Sequence, residues 1–308
     1  MLTPTRRQFL TAVGASALCG TLSASVSAED GQAQAVGMTV CQLKNQTRTQ
    51  MMGYIIRTAT GELIVVDGGN AGDASHVLEM LEQLNGGPNP KVTAWFLTHA
   101  HSDHYGALCE LIRTERLPEV KEFWFNFPST EWVLGGEPAC KPYISTFDEQ
   151  MPKVKDRCFK TQKDQKFTFG NVTVTVLNDP YLDQKRNPVN NSSVCFRFET
   201  ASTSLIFLGD LGKEGSLDLL NSQKPELLKA DVVQMAHHGQ QGSDRSLYVA
   251  IAPKTAFWPT PDWLWVNDCG RGPDSGPWKI HYEQRWAIEL EITKNYIAKD
   301  GTRCVEFP

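Results

Sequence analysis

The sequence predicts an α/β fold in which two mixed sheets pack face to face with helices outside, a four-layer αββα sandwich. Three observations lead to this fold class. Strand hairpins are followed by strand–helix units, the order occurs twice, and no break in composition divides the chain. The 308 residues are 41% hydrophobic and 21% charged, which is typical of globular proteins and excludes collagen, coiled coil and general disorder.

The first half of the pattern begins with a hairpin. Thr60-Gly61 joins two short apolar runs over 51–58 and 62–66. Apolar residues at helical spacing then predict a helix over 73–84. The remaining elements predicted in this half are a strand over 92–97, a helix over 103–113 and a strand over 120–127.

The second half repeats this order. Residues 166–177 alternate between apolar and polar positions around a turn at Gly170-Asn171, and 194–199 with 204–208 forms a second hairpin. The units that follow are predicted as helices over 215–220, 225–228, 243–251 and 277–290 and strands over 232–235 and 255–258, with closing strands near Tyr296 and Val305.

Two segments stand outside the repeated order. Residues 128–165 are polar and irregular, with a helix near 144–154, and are predicted to form a surface insertion or lid. The basic stretch 152–166 is either a solvated face or a guide for an anionic substrate. Residues 258–286 hold five of the eight tryptophans, which either anchor a long loop or form an aromatic wall over the site.

The N-terminus is predicted to be a targeting segment. Arg6-Arg7 belongs to a twin-arginine pattern, a weakly apolar stretch follows, and Val26-Ser27-Ala28 fits a small-residue cleavage site. We therefore expect residues 1–28 to be removed on export by the twin-arginine route. A single domain over 29–308 would remain, periplasmic or extracellular, with no later stretch apolar enough to span a bilayer.

Charge and cysteine content restrict the partners and cross-links. The net charge of −5 becomes −7 without residues 1–28, so nucleic acid and anionic lipid are not favoured as partners. A local basic groove would still allow nucleic acid to bind. Without Cys19, seven cysteines remain, an odd number with no CxxC pair, so a small disulfide framework is not expected. Export permits one or two bridges, and we predict Cys140–Cys158 and Cys269–Cys304.

The strongest chemical signal is a cluster of three histidines and one aspartate that directly follows a buried strand and opens a helix. His99 and His101, two apart on an extended segment, point the same way and can reach one cation. Asp103 and His104 lie on the next turn and can face a second cation. Imidazole with carboxylate suits zinc best, with manganese or iron as alternatives.

Two further strand ends complete a ligand set. The apolar run 205–208 ends in Gly209-Asp210, and a carboxylate at such a strand end can bridge two cations. The strand over 232–235 runs into His237-His238-Gly239, which places imidazole at a strand end again. The three signals together predict a dinuclear metal site.

These motifs resemble those of the metallo-β-lactamase superfamily over roughly residues 38–260. The resemblance is carried by His99-x-His101-x-Asp103-His104, Asp67-Gly68-Gly69, Gly209-Asp210 and His237-His238-Gly239. It implies the αββα fold and two zinc ions bridged by Asp210. One ion would be held by His99 and His101, and the other by Asp103, His104 and one of the pair His237/His238. Of this pair, His238 is favoured as ligand and His237 as a substrate-facing or supporting group.

One difference from the usual family pattern narrows the resemblance to one branch of the superfamily. No histidine lies between His104 and His237, where most lactamase, glyoxalase or lactonase members carry another ligand. Asn190 and Asn191 occur there instead. With the later His-His-Gly, this is similar to the hydrolase domain of competence proteins and to phosphorylcholine esterases, which act on phosphodiesters. Either Asn190 or Asn191 completes the first zinc site or contacts substrate, or the pair simply forms a turn.

The resemblance thus implies an exported dinuclear zinc hydrolase in which metal-activated water attacks a phosphodiester or phosphoester. Asp103 would orient this water and shuttle its proton, and His237 is the second catalytic candidate. Two alternatives remain. The same site could hydrolyse a lactam, lactone or thioester, or the chain could bind metal without turnover. A flavin-partnered di-iron reductase is disfavoured because no flavodoxin-like segment is visible.

Overall fold

The computed structural model describes residues 36–182 and 186–308. The predicted targeting segment over residues 1–28, with Cys19, lies outside the described residues. In the described part of the chain, no helix is long and apolar enough to cross a membrane.

The first of two sheets is antiparallel on one side and parallel on the other. Its spatial order is β14-β1-β2-β3-β4-β5-β6, with antiparallel pairing from β14 to β3 and parallel pairing from β3 to β6. These strands are β1 (Met38–Gln42), β2 (Gly53–Thr58), β3 (Leu63–Asp67), β4 (Lys91–Phe96), β5 (Glu119–Phe125), β6 (Cys158–Lys160) and β14 (Arg303–Phe307).

The second sheet repeats this scheme. Its order is β13-β12-β11-β10-β9-β8-β7, antiparallel from β7 to β10 and parallel from β10 to β13. Its strands are β7 (Lys166–Phe169), β8 (Val172–Val176), β9 (Phe196–Glu199), β10 (Ser204–Phe207), β11 (Val232–Gln234), β12 (Thr255–Trp258) and β13 (Lys294–Ile297). The repeated order predicted from the sequence is therefore confirmed.

Helices flank the two sheets and complete the predicted αββα sandwich. They are α1 (Ala74–Asn85), α2 (Ser102–Arg113), α3 (Thr130–Gly136), α4 (Lys141–Gln150), α5 (Pro188–Asn191), α6 (Lys213–Ser222), α7 (Pro225–Leu228), α8 (Arg245–Ile251), α9 (Asp262–Trp265) and α10 (Ile280–Glu289). Short 3-10 turns occur at 71–73, 138–140, 151–157, 237–239 and 298–300.

Side chains of the central strands alternate between two buried layers. On β2, Tyr54 and Ile56 pack in one apolar cluster, whereas Ile55 packs in the other with residues of α1, α2 and α4. Aromatic rings fill the first cluster, and the ring centroids of Tyr54 and Phe207 are 4.9 Å apart. Both faces of the strand are therefore buried, which explains why its sequence is a continuous apolar run rather than an alternating one.

The helix predicted near 144–154 overlaps α4 and the turn that follows it, and the segment 128–165 as a whole is folded rather than irregular. It forms α3, α4, the turn over 151–157 and the edge strand β6. Ile144, Phe147 and Val154 are buried in the core with α1 and α2. Gly135-Gly136 and the prolines at 138, 142 and 152 divide the segment into short pieces, so no single helical period was visible along it.

The predicted cysteine pairings are wrong. Cys41 on β1 and Cys304 on β14 lie opposite each other in the ladder and form a disulfide, with a Cα–Cα distance of 3.9 Å. Cys140, Cys158 and Cys269 carry free thiols. Spacing along the chain could not reveal this pair, because β1 and β14 come from opposite ends of the described residues.

Candidate metal centre

The predicted metal-ligating residues meet where strands of both sheets end. His99 and His101 follow β4, Asp210 follows β10, and His238 follows β11. Of these, only the His101 side chain is appreciably exposed. The carboxyl ends of parallel strands share one edge of a sheet, so segments distant in sequence converge there.

The ligand atoms form two groups that share one carboxylate. His99, His101 and Asp210 make up the first group. Asp103, His104, Asp210 and His238 make up the second. Within each group, all the ligand atoms lie within 4.8 Å of one another. Asp210 is therefore placed to bridge two cations.

The atoms that face the middle of the second group are placed as metal ligands would be. Asp210 Oδ1 lies 3.3 Å from His104 Nε2, and Asp210 Oδ2 lies 3.3 Å from His238 Nε2. Both imidazole nitrogens and Asp210 Oδ1 are buried and make no hydrogen bond within the described residues. Leaving buried polar atoms unpaired is costly, so their convergence on one point fits a bound cation.

The other nitrogen of each of these two imidazoles, Nδ1, contacts a hydrogen-bond acceptor on the far side of the ring. His104 Nδ1 lies 2.7 Å from Asp67 Oδ2, and His238 Nδ1 lies 3.1 Å from the carbonyl oxygen of Pro259. Partners of this kind fix the orientation of a metal-binding imidazole and leave Nε2 free to ligate. The geometry thus assigns Nε2 as the inward nitrogen of both rings.

Asp67 is the centre of a buried hydrogen-bond network. Its carboxylate accepts from the Thr98 amide and hydroxyl, each at 2.8 Å, as well as from His104. Asp67 is fully buried and has a φ of 58°, a left-handed conformation that aspartate tolerates. This network gives the Asp67-Gly68-Gly69 motif a physical role, since it fixes the start of the histidine cluster.

His101 has the opposite orientation to the other rings. Its Nδ1 lies 3.0 Å from His99 Nε2, so this nitrogen faces the first group. Its Nε2 lies 2.9 Å from Glu137 Oε2. Sequence analysis did not identify Glu137, because it lies between two short helices in the segment interpreted as an insertion.

The charged groups of the centre strongly shift one another's pKa values. Burial alone would lower the pKa of His104 and His238, but Asp210, together with Asp67 at His104 and Asp103 at His238, outweighs it. The pKa of His104 is therefore raised well above its usual value, and that of His238 is raised to about 9. Burial would raise the pKa of Asp210, but His238 and His104 hold it well below its usual range. Positive charge is thus strongly favoured next to the Asp210 carboxylate.

The two predicted asparagines have different surroundings. Asn190 is 5% exposed, its Nδ2 lies 3.1 Å from His237 Nε2, and its buried Oδ1 has no hydrogen-bond partner in the part of the chain described. Asn191 instead accepts from the Gly215 amide at 2.9 Å and donates to Glu214 at 3.2 Å. Asn190 therefore belongs to the centre, and Asn191 braces the start of α6.

Both nitrogens of His237 are already engaged. Nδ1 donates to the carbonyl oxygen of Gln241 at 2.9 Å, which leaves Nε2 to accept from Asn190. His237 and His238 both have positive φ values, 52° and 55°. The Gly239 backbone then passes so close to Trp258 that an added Cβ would lie 2.5 Å from its ring. This tight turn separates the two histidines, so that only His238 joins the second group.

A cavity of about 220 Å³ opens beside the centre, and Asp103 lines it. Gln50 donates to Asp103 Oδ2 at 3.2 Å and accepts from Gln240 at 3.1 Å. No tryptophan lines this cavity, and Trp258 and Trp265 are buried in the core. Trp258 and Trp265 therefore match the anchoring interpretation. The cavity is lined by Gln50, Ala100, His101, Ser102, Asp103, Ala139, Cys140, Tyr143, Asn190, Asp210 and His237.

Comparison with known proteins agrees with this geometry. Residues 50–122 match the family model of the Metallo-beta-lactamase superfamily. ComE operon protein 3 of Bacillus subtilis (strain 168) is 30% identical over 170 residues, which are 54% of this chain. The alignment covers 20% of that relative, so the chain spans about a fifth of its length.

Similar solved structures show the same fold. The metallo-beta-lactamase fold protein YhfI from Bacillus subtilis is 15% identical with a TM-score of 0.51, and the match covers 88% of this chain and 99% of that one. Yeast PDE1 is 14% identical with a TM-score of 0.51, covering 88% of this chain and 100% of that one. The family match covers β3, β4 and the histidine cluster, and the whole architecture agrees with it. The chain therefore has the metallo-beta-lactamase fold, and its residues 50–122 match the model of that superfamily.

Proposed function

We propose that the chain is an exported hydrolase that uses two divalent cations, zinc by preference, to cleave a phosphodiester or phosphoester. The observation that carries the proposal is the pair of ligand groups sharing Asp210, together with the unpartnered inward atoms of His104, His238 and Asp210 in the second group. The family match supports hydrolysis, and the twin-arginine pattern supports export.

The residues fit two cations. His99 and His101 would hold the first, His104, His238 and Asp103 the second, and Asp210 would contact both. When bound, the cations would lower the pKa of a water toward neutrality and offset negative charge on the group under attack. No serine or cysteine nucleophile is needed.

Asp103 is the residue we assign to orient the water and take its proton. It lines the cavity, and its side chain is 17% exposed, so a substrate can approach it. Burial would raise the pKa of Asp103, but the close contact with His238, 3.2 Å away, and the charge of His104 outweigh it and lower the pKa. The carboxylate is therefore ionised at neutral pH and can accept a proton.

Asn190 takes the place of the third histidine that the first group lacks. Its unpartnered Oδ1 is an acceptor, and His237 holds the amide nitrogen turned the other way. We assign His237 to orienting Asn190, because neither of its nitrogens is free for proton transfer in this arrangement. An amide in place of imidazole is the feature that favours the phosphodiester branch over lactam or lactone hydrolysis.

Turnover of bis(p-nitrophenyl) phosphate by the zinc- or manganese-loaded protein tests the reaction. We expect His101→Ala to lose it and His76→Ala to keep it, since His76 lies outside the centre and contacts Thr302. Turnover of nitrocefin or a lactone alone would overturn the substrate class. Full turnover in His101→Ala would refute the site, and two bound cations without any turnover would indicate a binding protein.

The matched pair Asn190→Ala and Asn191→Ala tests the asparagine assignment. We expect Asn190→Ala to weaken cation binding with little change in apo-protein stability. Asn191→Ala should lower stability by about 1–3 kcal/mol, because it leaves the Gly215 amide unpaired, and should keep both cations. The reverse pattern in a zinc titration and a urea melt would contradict the assignment.

A further inference from the structure

Glu137 lies at the junction of three parts of the chain. It directly follows α3, and the Glu137 and His101 side chains are 25% and 19% exposed. One carboxylate oxygen, Oε2, lies 2.9 Å from His101 Nε2. The other, Oε1, accepts from the Val189 amide at 3.1 Å. The carboxylate therefore joins the histidine cluster to the backbone that leads into Asn190.

The backbone around Glu137 keeps this junction in place. Gly136 lies so close to Pro188 that an added Cβ would be 2.5 Å from the proline ring. The Cys140 thiol, 3.7 Å from Oε2, donates to the same carboxylate. Three donors thus converge on Glu137, and each holds it in one orientation.

The contact with His101 decides which nitrogen of that ring faces the first group. A carboxylate accepts hydrogen bonds and does not donate when ionised, so His101 must carry its proton on Nε2. When the ring is neutral, as ligation requires, Nδ1, which lies 3.0 Å from His99 Nε2, is then the nitrogen with a free lone pair. Without Glu137, the ring can rotate or adopt the other tautomer, and the first cation loses a preorganised ligand.

We propose that Glu137 is a positioning residue for the first cation, which aligns His101 through a hydrogen bond and Asn190 through the Val189 amide. The inference rests on the proposed function in that it requires two cations at this centre. The folded segment 128–165 then supports the metal centre through Glu137, besides lining the neighbouring cavity with Ala139, Cys140 and Tyr143.

Zinc titration of the apo protein against a competing chelator tests the role, with the visible spectrum of the cobalt-loaded protein as a second readout. We expect Glu137→Ala to weaken one of two binding steps about 10- to 100-fold and leave the other unchanged. The affected step should be the one that His101→Ala abolishes. Glu137→Gln keeps the side-chain volume and one acceptor oxygen, so its zinc affinity at this step should lie between those of wild type and Glu137→Ala.

Glu131→Ala is the matched control, since Glu131 is exposed on α3 and should bind both cations like wild type. Unchanged binding and spectrum in Glu137→Ala would overturn the inference. So would equal weakening of both steps together with a lower melting temperature of the apo protein. Wild type that binds no cation pair would refute the proposed function itself. Two cations without phosphodiester turnover would refute only the substrate.

Discussion

Replacing Asp67 with asparagine tests the hydrogen-bond network behind the candidate metal centre. The substitution preserves shape, and asparagine tolerates the positive φ of 58° as well as aspartate does, so the backbone adds no cost. What changes is the number of acceptors. The two carboxylate oxygens accept from the Thr98 amide, the Thr98 hydroxyl and His104 Nδ1, whereas an amide nitrogen accepts nothing.

The magnitude follows from these contacts. At least one buried donor loses its partner, which costs about 1–3 kcal/mol. The bonds that remain are no longer made to a charged acceptor and lose roughly half their strength. We therefore expect Asp67→Asn to lower the free energy of unfolding of the apo protein by about 3 kcal/mol and to weaken zinc binding at His104 about 10- to 100-fold.

Urea unfolding of the apo protein and a zinc competition titration measure the two effects. Asp218→Asn is the control, since Asp218 is exposed on α6 and should change stability by less than about 0.5 kcal/mol. An Asp67→Asn protein with wild-type stability and wild-type zinc affinity would refute the reasoning, because Asp67 would then hold neither the fold nor the imidazole.

Three further predictions concern the surroundings of the centre. Burial raises the pKa of Glu283 well above its usual value, so the folded state keeps a proton that the unfolded chain loses, and Glu283→Gln should melt progressively higher than wild type above about pH 5 and no higher at pH 4. Gly239→Ala should weaken zinc binding in a titration, because the new Cβ would meet Trp258 at 2.5 Å and displace the ligand turn. Replacing both Cys41 and Cys304 with serine opens a loop of 263 residues and should cost up to about 5 kcal/mol in urea unfolding.

The sequence was sufficient for the features that depend on local pattern. His99, His101 and His104 could be placed at a strand end because a buried apolar run precedes them and a helix follows. The position of Asp210 in both ligand groups could be predicted for the same reason, since parallel strands end at a common edge. The αββα architecture followed from the order of hairpins and strand–helix units, because each half repeats one scheme.

Features that depend on pairing between distant segments could not be predicted. Nothing in the residues near Cys41 shows that β14 will lie beside it. Glu137 resembles any surface glutamate until α3 is packed against the histidine cluster. Asn190 and Asn191 are adjacent and chemically identical, and only the direction of each side chain in α5 separates a candidate ligand from a brace.

The charges of the centre lead to a last prediction about how it takes up cations. In the absence of a cation, burial would lower the pKa of His101 and His238, but neighbouring groups raise the two values to about 10 and about 9. Hydrogen bonding with Cys140 and with the Glu137 carboxylate, which accepts from His101, raises the first value, and the carboxylates of Asp210 and Asp103 raise the second. These imidazoles are thus protonated at neutral pH, yet each must be unprotonated to ligate.

Cation binding should therefore release more than one proton at pH 7, and zinc affinity should rise with pH until these imidazoles have titrated. Calorimetric titration with zinc in buffers of different ionisation enthalpy measures the proton count directly. A binding enthalpy that does not vary with the buffer would show that the imidazoles are already neutral. Protonated imidazoles would then not be the groups that balance Asp103 and Asp210 before the cations arrive.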